Sequence, residues 1–263
     1  MAINSIKNRV LPTEVLSLSK ANSSYGNRNR VAQKLSNLMK KNLQKVPKKE
    51  LTVAKYRDIL YSLIYPAKPN IAVLPTPKNQ DYAGRMTTID IPTKIDDNIY
   101  YTHTGYKLYL PINKKGIITN KDVVVHESRH LFDYLCNPKY ASPRLSYLTK
   151  DENEKQKLEK TLDYLTYKQF FNIPLLENFE LSIYKKKAIK LLESYSNTDK
   201  IRILQQVRYY IASELNAYTD VEADRETYLV NDASGIHTLR LYEKRFFIEE
   251  QLKKALKKER GLM

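Results

Sequence analysis

Two histidines and a glutamate near the middle of the chain have the residue types and the spacing of a metal site. Residues 123–135 read V-V-V-H-E-S-R-H-L-F-D-Y-L, which places His126 and His130 four residues apart with Glu127 beside the first. In an α-helix, residues four apart lie on one face, so both imidazoles can reach a single cation. The spacing predicts zinc bound by both histidines, with Glu127 accepting a proton from a metal-bound water. The alternative is a pair of purely structural histidines.

This chemistry requires that the motif lie on a buried helix, and the flanking residues predict one over 120–136. Thr119 is a suitable N-cap residue, Asp122 follows three residues later as in a capping box, and Asn137-Pro138 supplies the stop. The helix has apolar residues to bury at Val124, Val125, Leu131, Phe132 and Leu135.

H-E-x-x-H is the motif of the zincin metallopeptidases, and the segment resembles that superfamily over about a dozen residues of the motif helix. The resemblance implies a small sheet before the motif helix, with an edge strand along the cleft that could pair with an extended peptide; 107–112 is the segment in that place. Asp133 and Cys136 stand where the metzincin extension has its glycine and third histidine, so that subgroup is excluded. Arg129 departs from the uncharged residue usual at its position, and we expect it to face solvent or a carboxylate.

Catalytic zinc takes three protein ligands and leaves one position open, so a third donor must come from elsewhere in the chain. The best candidate is Glu214 in the segment S-E-L-N-A-Y, which resembles the gluzincin group in its small residue and aromatic after the glutamate. Its predicted helical face is otherwise mostly apolar. The alternative is that Glu214 pairs with a nearby Lys or Arg. The weaker candidates for the third ligand are Asp220, Glu222 and Asp224.

Other polar residues have supporting roles in this reading. Asp133 is predicted to accept a hydrogen bond from a ligating imidazole rather than to bind metal. The donor that stabilises the tetrahedral oxyanion is left open among Tyr218, Tyr210 and His237. His103 is expected to be a surface or cross-strand residue, His237 to lie in the connection between the last two helices, and Cys136 to be a small apolar filler.

The pattern around the motif predicts a helix-dominated α+β fold, zincin-like, with a small sheet before the motif helix and a helical C-terminal half. Strands are expected at 86–91, 99–103 and 107–112, with turns at Asp96-Asp97-Asn98 and at Gly105. The proline-spaced segment 66–77 is expected to be a connector. Further helices are predicted by apolar spacing at 31–43, 51–65, 151–171, 178–195, 199–229 and 238–258.

The charge of the chain is concentrated at its N-terminus. Residues 1–50 hold eleven Lys and Arg against two acidic residues, in a chain of net charge +16. We therefore divide the chain into a basic N-terminal arm and helix, 1–50, and a zincin-like metallopeptidase domain, 51–263. The arm, extended over 19–30, is either a solvated tail or a contact for nucleic acid or a protein assembly.

Two functions follow from these patterns. The first is a zinc-dependent metallopeptidase acting on a protein or peptide. The second is a virion or other assembly protein with a zincin-like fold, whose metal site is structural or inactive. The single cysteine excludes an internal disulfide, and no signal peptide or membrane-spanning run is evident, so a cytoplasmic or virion-associated protein is expected.

Overall fold

The computed structural model describes residues 9–10, 25–65, 67, 69–79, 83–95, 98–136, 151–166, 178–222 and 233–261. Its helices are α1 (Tyr25–Gln44), α2 (Val53–Ile64), α3 (Lys121–Cys136), α4 (Glu152–Thr166), α5 (Asn178–Glu193), α6 (Asn197–Glu222) and α7 (Ala233–Glu259). Its strands are β1 (Arg9–Val10), β2 (Ile71–Pro75), β3 (Arg85–Ile95) and β4 (Asn98–Leu110). The predicted class, α+β dominated by helices, is confirmed.

The predicted helices are present, with differences at their ends. α1 begins at Tyr25, earlier than the predicted start at residue 31, so 25–30 is helical rather than an extended arm; 19–24 lies outside the described residues. α7 begins at Ala233, not at residue 238, so the backbone of His237 lies within the helix and not in a connection. The predicted ends at 171 and 229 also fall outside the described residues.

The sheet is built around β4, which differs from the predicted arrangement. β3 pairs with β4 in antiparallel fashion along one side, while β1 and β2 pair with it in parallel on the other. β2 lies in the segment expected to be a connector. Lys107 is opposite Thr87 of β3 and Ala72 of β2, so the expectation that 107–112 forms the edge strand is wrong.

Gly105 is an inner position of β4 rather than the predicted turn between two strands. The register of β3 against β4 shifts at this point, where Ile89 pairs with Gly105 and Asp90 with His103. A Cβ at Gly105 would lie 2.5 Å from the carbonyl oxygen of Asn70, which accepts a hydrogen bond from the next residue of β4. The glycine therefore marks a bulge where another backbone approaches closely.

Contacts between Cα atoms divide the chain into two compact units. The motif unit is Lys7–Ser142 with Asn216–Asp224. The helical unit is Met1–Ile6, Pro143–Leu215 and Arg225–Met263. The boundary between Leu215 and Asn216 falls inside α6, which runs through it without a break. The division into 1–50 and 51–263 stays a prediction, although α1 belongs to the core of the motif unit.

The core of the motif unit is formed by α1, α2, α3 and one face of the sheet. Alternate residues of β4 are fully buried at Tyr106, Leu108 and Leu110, as expected for a strand with one face on helices. α1 packs along α3, and its Ala32, Met39 and Leu43 are buried in the same cluster. Both the sheet and α1 therefore hold the motif helix.

The helical unit contains α4, α5, α7 and α6 up to Leu215. Asn197 at the start of α6 donates a hydrogen bond of 2.9 Å to the carbonyl oxygen of Ala255 in α7. Further along the same pair of helices, Arg208 Nε lies 2.6 Å from a carboxylate oxygen of Glu249. None of the helices described in either unit is both long and apolar enough to span a membrane.

Candidate metal centre

The motif helix α3 begins at a different cap from the one predicted. Asn120 Oδ1 accepts hydrogen bonds from the backbone N–H groups of Asp122 at 3.0 Å and Val123 at 3.3 Å. The hydroxyl of Thr119 instead donates to the carbonyl oxygen of Pro111 at 3.0 Å. The prediction of Thr119 as the N-cap is therefore wrong, because a tertiary contact engages its side chain.

The two motif histidines meet on one face of α3. Their Nε2 atoms are 3.1 Å apart, and the rings are edge to face with an interplanar angle of 83°. His130 is buried and His126 is half-buried. The same distance fits a hydrogen bond in which one ring donates and the other accepts, so a cation that binds both nitrogens must displace that proton.

Glu214 of α6 lies beside the two histidines as the third member of the cluster, and its predicted role as a ligand stays a prediction. The ligand atoms of His126, His130 and Glu214 all lie within 4.8 Å of one another. Glu214 is half-buried and stands one helical turn before Tyr218, whose ring is 4.7 Å from that of His126. The helical spacing of α6 thus places Glu214 and Tyr218 on the side that meets the motif histidines.

The donor atoms of this cluster fit zinc. Two imidazole nitrogens and one carboxylate oxygen are a common protein ligand set for catalytic zinc. Neighbouring ligand atoms around a tetrahedral zinc are about 3.3 Å apart. The nitrogens are already near that separation, and the carboxylate is close enough for a change of side-chain rotamer to bring it in. His126, His130 and Glu214 thus form a group that could hold a metal ion.

Glu127 is almost fully buried, at 5% exposure, and lies against the start of β3. A Cβ built on Gly84 would be 3.0 Å from Glu127 Oε1, 2.9 Å from its Cγ and 2.4 Å from Val123 Cγ1. Any larger residue at position 84 would collide with the side chains of Val123 and Glu127 on the motif helix. Sequence reasoning missed Gly84, although a glycine directly before a strand is a signal of close backbone approach.

Of the predicted oxyanion donors, Tyr218 lies beside the motif histidines, with its ring inclined by 71° to that of His126. Tyr210 is 41% exposed on α6. The side chain of His237 lies outside the described part of the chain. Of the predicted donors whose side chains are described, Tyr218 is the one with a ring contact to a motif histidine.

Arg129 is buried at 1% exposure and faces two carboxylates, which agrees with one of the two predicted environments. Its Nε donates to Asp133 Oδ1 at 3.0 Å, Nη1 to Asp220 Oδ2 at 2.5 Å and Nη2 to Asn29 Oδ1 at 2.7 Å. Asn216 Nδ2 lies 3.4 Å from both Asp133 Oδ2 and Asn29 Oδ1. We call these five side chains the Arg129 network.

Two acidic residues for which roles near the metal were predicted, Asp220 and Asp133, belong to this network. Asp220, a weaker candidate for the third ligand, uses its carboxylate for Arg129, while its carbonyl oxygen accepts from Lys40 Nζ at 2.9 Å. Asp133 binds Arg129, and its predicted bond to an imidazole stays a prediction. The side chains of Glu222 and Asp224 are not described.

Burial is the main influence on the pKa of Asp133 in this network. Desolvation raises the pKa of Asp133 to about 6, and the opposing effect of the Arg129 guanidinium only partly offsets it. The pKa of Arg129 is raised, because the two carboxylates outweigh its own desolvation. One guanidinium shared between two carboxylates only partly compensates the burial of Asp133.

A second buried contact holds the other side of the motif helix. The hydroxyls of Tyr56 on α2 and Ser128 on α3 are 2.9 Å apart and share a hydrogen bond. Burial raises the pKa of the Tyr56 phenol above its ordinary value. Cys136, predicted as an apolar filler, is a buried free cysteine at the end of α3, which confirms that expectation.

No protein-family model, curated protein or solved structure matches the chain.

Proposed function

We propose that this protein is a zinc-dependent metallopeptidase of zincin type, gluzincin-like in its ligands, that hydrolyses peptide bonds. The observation that supports this most directly is the convergence of His126, His130 and Glu214 within 4.8 Å. Two of these ligands belong to the motif helix and the third to α6, far along the chain. A structural zinc site would need a fourth protein ligand, and none of the described His, Cys, Asp or Glu residues joins this cluster.

Glu127 is the residue proposed to handle the proton. Zinc held by the triad would lower the pKa of a coordinated water towards about 7 and polarise the scissile carbonyl. Glu127 follows His126 directly in α3 and is shielded from solvent, so it can take that proton and later deliver it to the leaving amine. The hydroxyl of Tyr218 is proposed to donate to the oxyanion.

The substrate is proposed to lie along β3 rather than along 107–112. Among the described strands β3 pairs with β4, and the proposal is that an extended peptide pairs with its other edge. β3 starts directly after Gly84, which touches the motif helix at Glu127. A peptide paired with this edge would therefore run past the proposed base.

The test is zinc content combined with peptide cleavage. Elemental analysis of the purified wild type should give one zinc per chain, and His126→Ala and Glu214→Ala, whose zinc affinity is weakened, should be purified without it. Glu127→Gln should keep the zinc and lose cleavage of a peptide library. His103→Ala and Glu243→Gln are matched controls that should change neither property. A wild type without zinc, or a Glu127→Gln protein that still cleaves, would contradict the proposal.

A contact with nucleic acid is a second candidate function, favoured by the placement of lysines from two segments. The hydrogen bond of 2.8 Å from Ile118 N to Leu51 O joins these segments. They carry exposed lysines at Lys45, Lys48, Lys49, Lys114 and Lys115. We call this set the basic face, and it suits a phosphate backbone.

Substitution of the basic face tests this candidate better than truncation, because removing 1–50 would also remove α1 from the core. Changing Lys48, Lys49, Lys114 and Lys115 to Gln should weaken DNA binding and reduce its log–log salt slope by about 0.9 per lost phosphate contact. The control changes Lys160, Lys186, Lys190 and Lys253 to Gln, with the same loss of charge. Equal weakening by both variants would contradict a localised site.

A further inference from the structure

The Arg129 network ties three helices together at one guanidinium. Its three nitrogens donate to side chains on three helices. Nε donates to Asp133 on α3 itself, Nη1 to Asp220 on α6 and Nη2 to Asn29 on α1. Arg129 is among the largest fully buried side chains of the described protein. A planar fork of this kind fixes the relative orientation of its partners, which a lysine cannot do.

The network and the metal ligands occupy two different sides of α6. At 100° per residue, Asn216 and Asp220 share one side of the helix, while Glu214 and Tyr218 share another. Ala217 falls between these sides in the helical projection and is fully buried. The contacts of Asn216 and Asp220 with α3 therefore set how far α6 is rotated, and that rotation decides where Glu214 points.

The stability of the fold does not by itself account for the network. A buried ion pair costs desolvation, and apolar residues of similar volume are often as stabilising. The neighbouring positions Leu131, Phe132 and Leu135 show that this helix packs apolar side chains in the same core. What the ion pairs add is a defined geometry between the two helices that carry the ligands.

We propose that Arg129 is a positioning residue, which sets where α6 presents Glu214 to the motif histidines by bridging Asp133 and Asp220. This inference rests on the proposed function for its zinc readout. Arg129 itself touches neither metal nor substrate in this role. Its effect on the site passes through the placement of α6.

The first measurement is zinc affinity by competition with a chromophoric chelator. Arg129→Lys keeps the charge but loses the fork, and it should weaken zinc binding by about 10- to 100-fold. In a Glu214→Ala background the same substitution should have no further effect, because the ligand it places is gone. Tyr56→Phe is the control: it removes the buried bond to Ser128 and should leave zinc affinity unchanged.

The second measurement needs no metal. The chain has four histidines, so their ring protons can be assigned by NMR after single substitutions. The ring centroids of Tyr218 and His126 are 4.7 Å apart, so the ring current of Tyr218 should shift the His126 resonances. Arg129→Lys should move the His126 shift towards its value in Tyr218→Leu, whereas Tyr56→Phe should not.

The outcomes separate this inference from the proposed function. If the wild type binds no zinc but Arg129→Lys moves the His126 resonance, the peptidase proposal fails and the positioning role stands. If the wild type binds zinc and Arg129→Lys binds it equally well, or if the effect of Arg129→Lys adds fully to that of Glu214→Ala, the positioning role is overturned. An unchanged His126 resonance in a folded Arg129→Lys protein would also overturn it.

Discussion

Glu127 packs in a space that exists only because residue 84 has no side chain. The close approach of Gly84 to Val123 and Glu127 leaves no room for a methyl group between β3 and the motif helix. A shift of about 1 Å in a catalytic group can cost on the order of a hundredfold in rate. The geometry of the proposed base thus depends on residue 84 as well as on α3.

We expect Gly84→Ala to lower kcat for peptide cleavage at least tenfold while zinc content is retained, because the methyl group displaces Glu127 and not the ligands. Stability should fall by about 1–3 kcal/mol from overpacking. Gly116→Ala is the matched control. It strains a backbone with φ of 74° where nothing lies within 4 Å, so it should destabilise without affecting kcat. Full activity in Gly84→Ala would contradict this account.

Asp133 gives the stability of the protein a pH dependence of known sign. In the folded protein the pKa of the Asp133 carboxyl is about 6, whereas its ordinary value is 3.8. The folded state therefore binds this proton more tightly than the unfolded state. Stability is lost as the pH rises from the ordinary pKa to the raised one. Relative to Asp133→Asn, the wild type should lose up to about 3 kcal/mol of unfolding free energy between pH 4 and pH 6. Urea unfolding of both proteins at several pH values measures this, and a constant difference would contradict it.

At the scale of elements, the motif helix shows which features a local pattern can predict. Its apolar spacing and its end were predicted correctly, because both depend on neighbouring residues. Its cap was not, because Thr119 and Asn120 are both good cap residues and only the contact of Thr119 with Pro111 decides between them. Glu214 could be found because it is a carboxylate on an otherwise apolar helical face.

The elements that were missed depend on distant partners. β2 is five residues long, ends in a proline and becomes a strand by pairing with β4. The first turns of α1 look polar, yet Asn29 reaches the buried guanidinium of Arg129. The sequence shows neither partner, since both are brought in by the tertiary fold.

The cap itself can be tested. Asn120→Ala should reduce the free energy of unfolding by about 1 kcal/mol, because two backbone N–H groups of α3 lose their acceptor. Thr119→Val removes only the bond to Pro111 at an exposed position and should cost less. Urea denaturation of the two variants gives the comparison. A larger loss in Thr119→Val would mean that Thr119 is the working cap.

At the scale of the whole molecule, the proposed metal links segments that are far apart in the chain. A ligand that binds only the folded state stabilises it by mass action, by about 2.7 kcal/mol at a hundred times its Kd. Zinc should therefore raise Tm by about 5–10 °C at that concentration. Chelation should reverse the rise, and Glu214→Ala should reduce it. An equal rise in His126→Ala would show that zinc acts elsewhere.

The single cysteine has a consequence for how the motion of this helix can be followed. Cys136 is fully buried at the last residue of α3, and burial raises the pKa of its thiol to about 12. A thiol reagent can react with it only after the end of the motif helix opens and the thiolate forms. The labelling rate of the unmodified protein, measured with and without zinc, therefore gives the free energy of that opening.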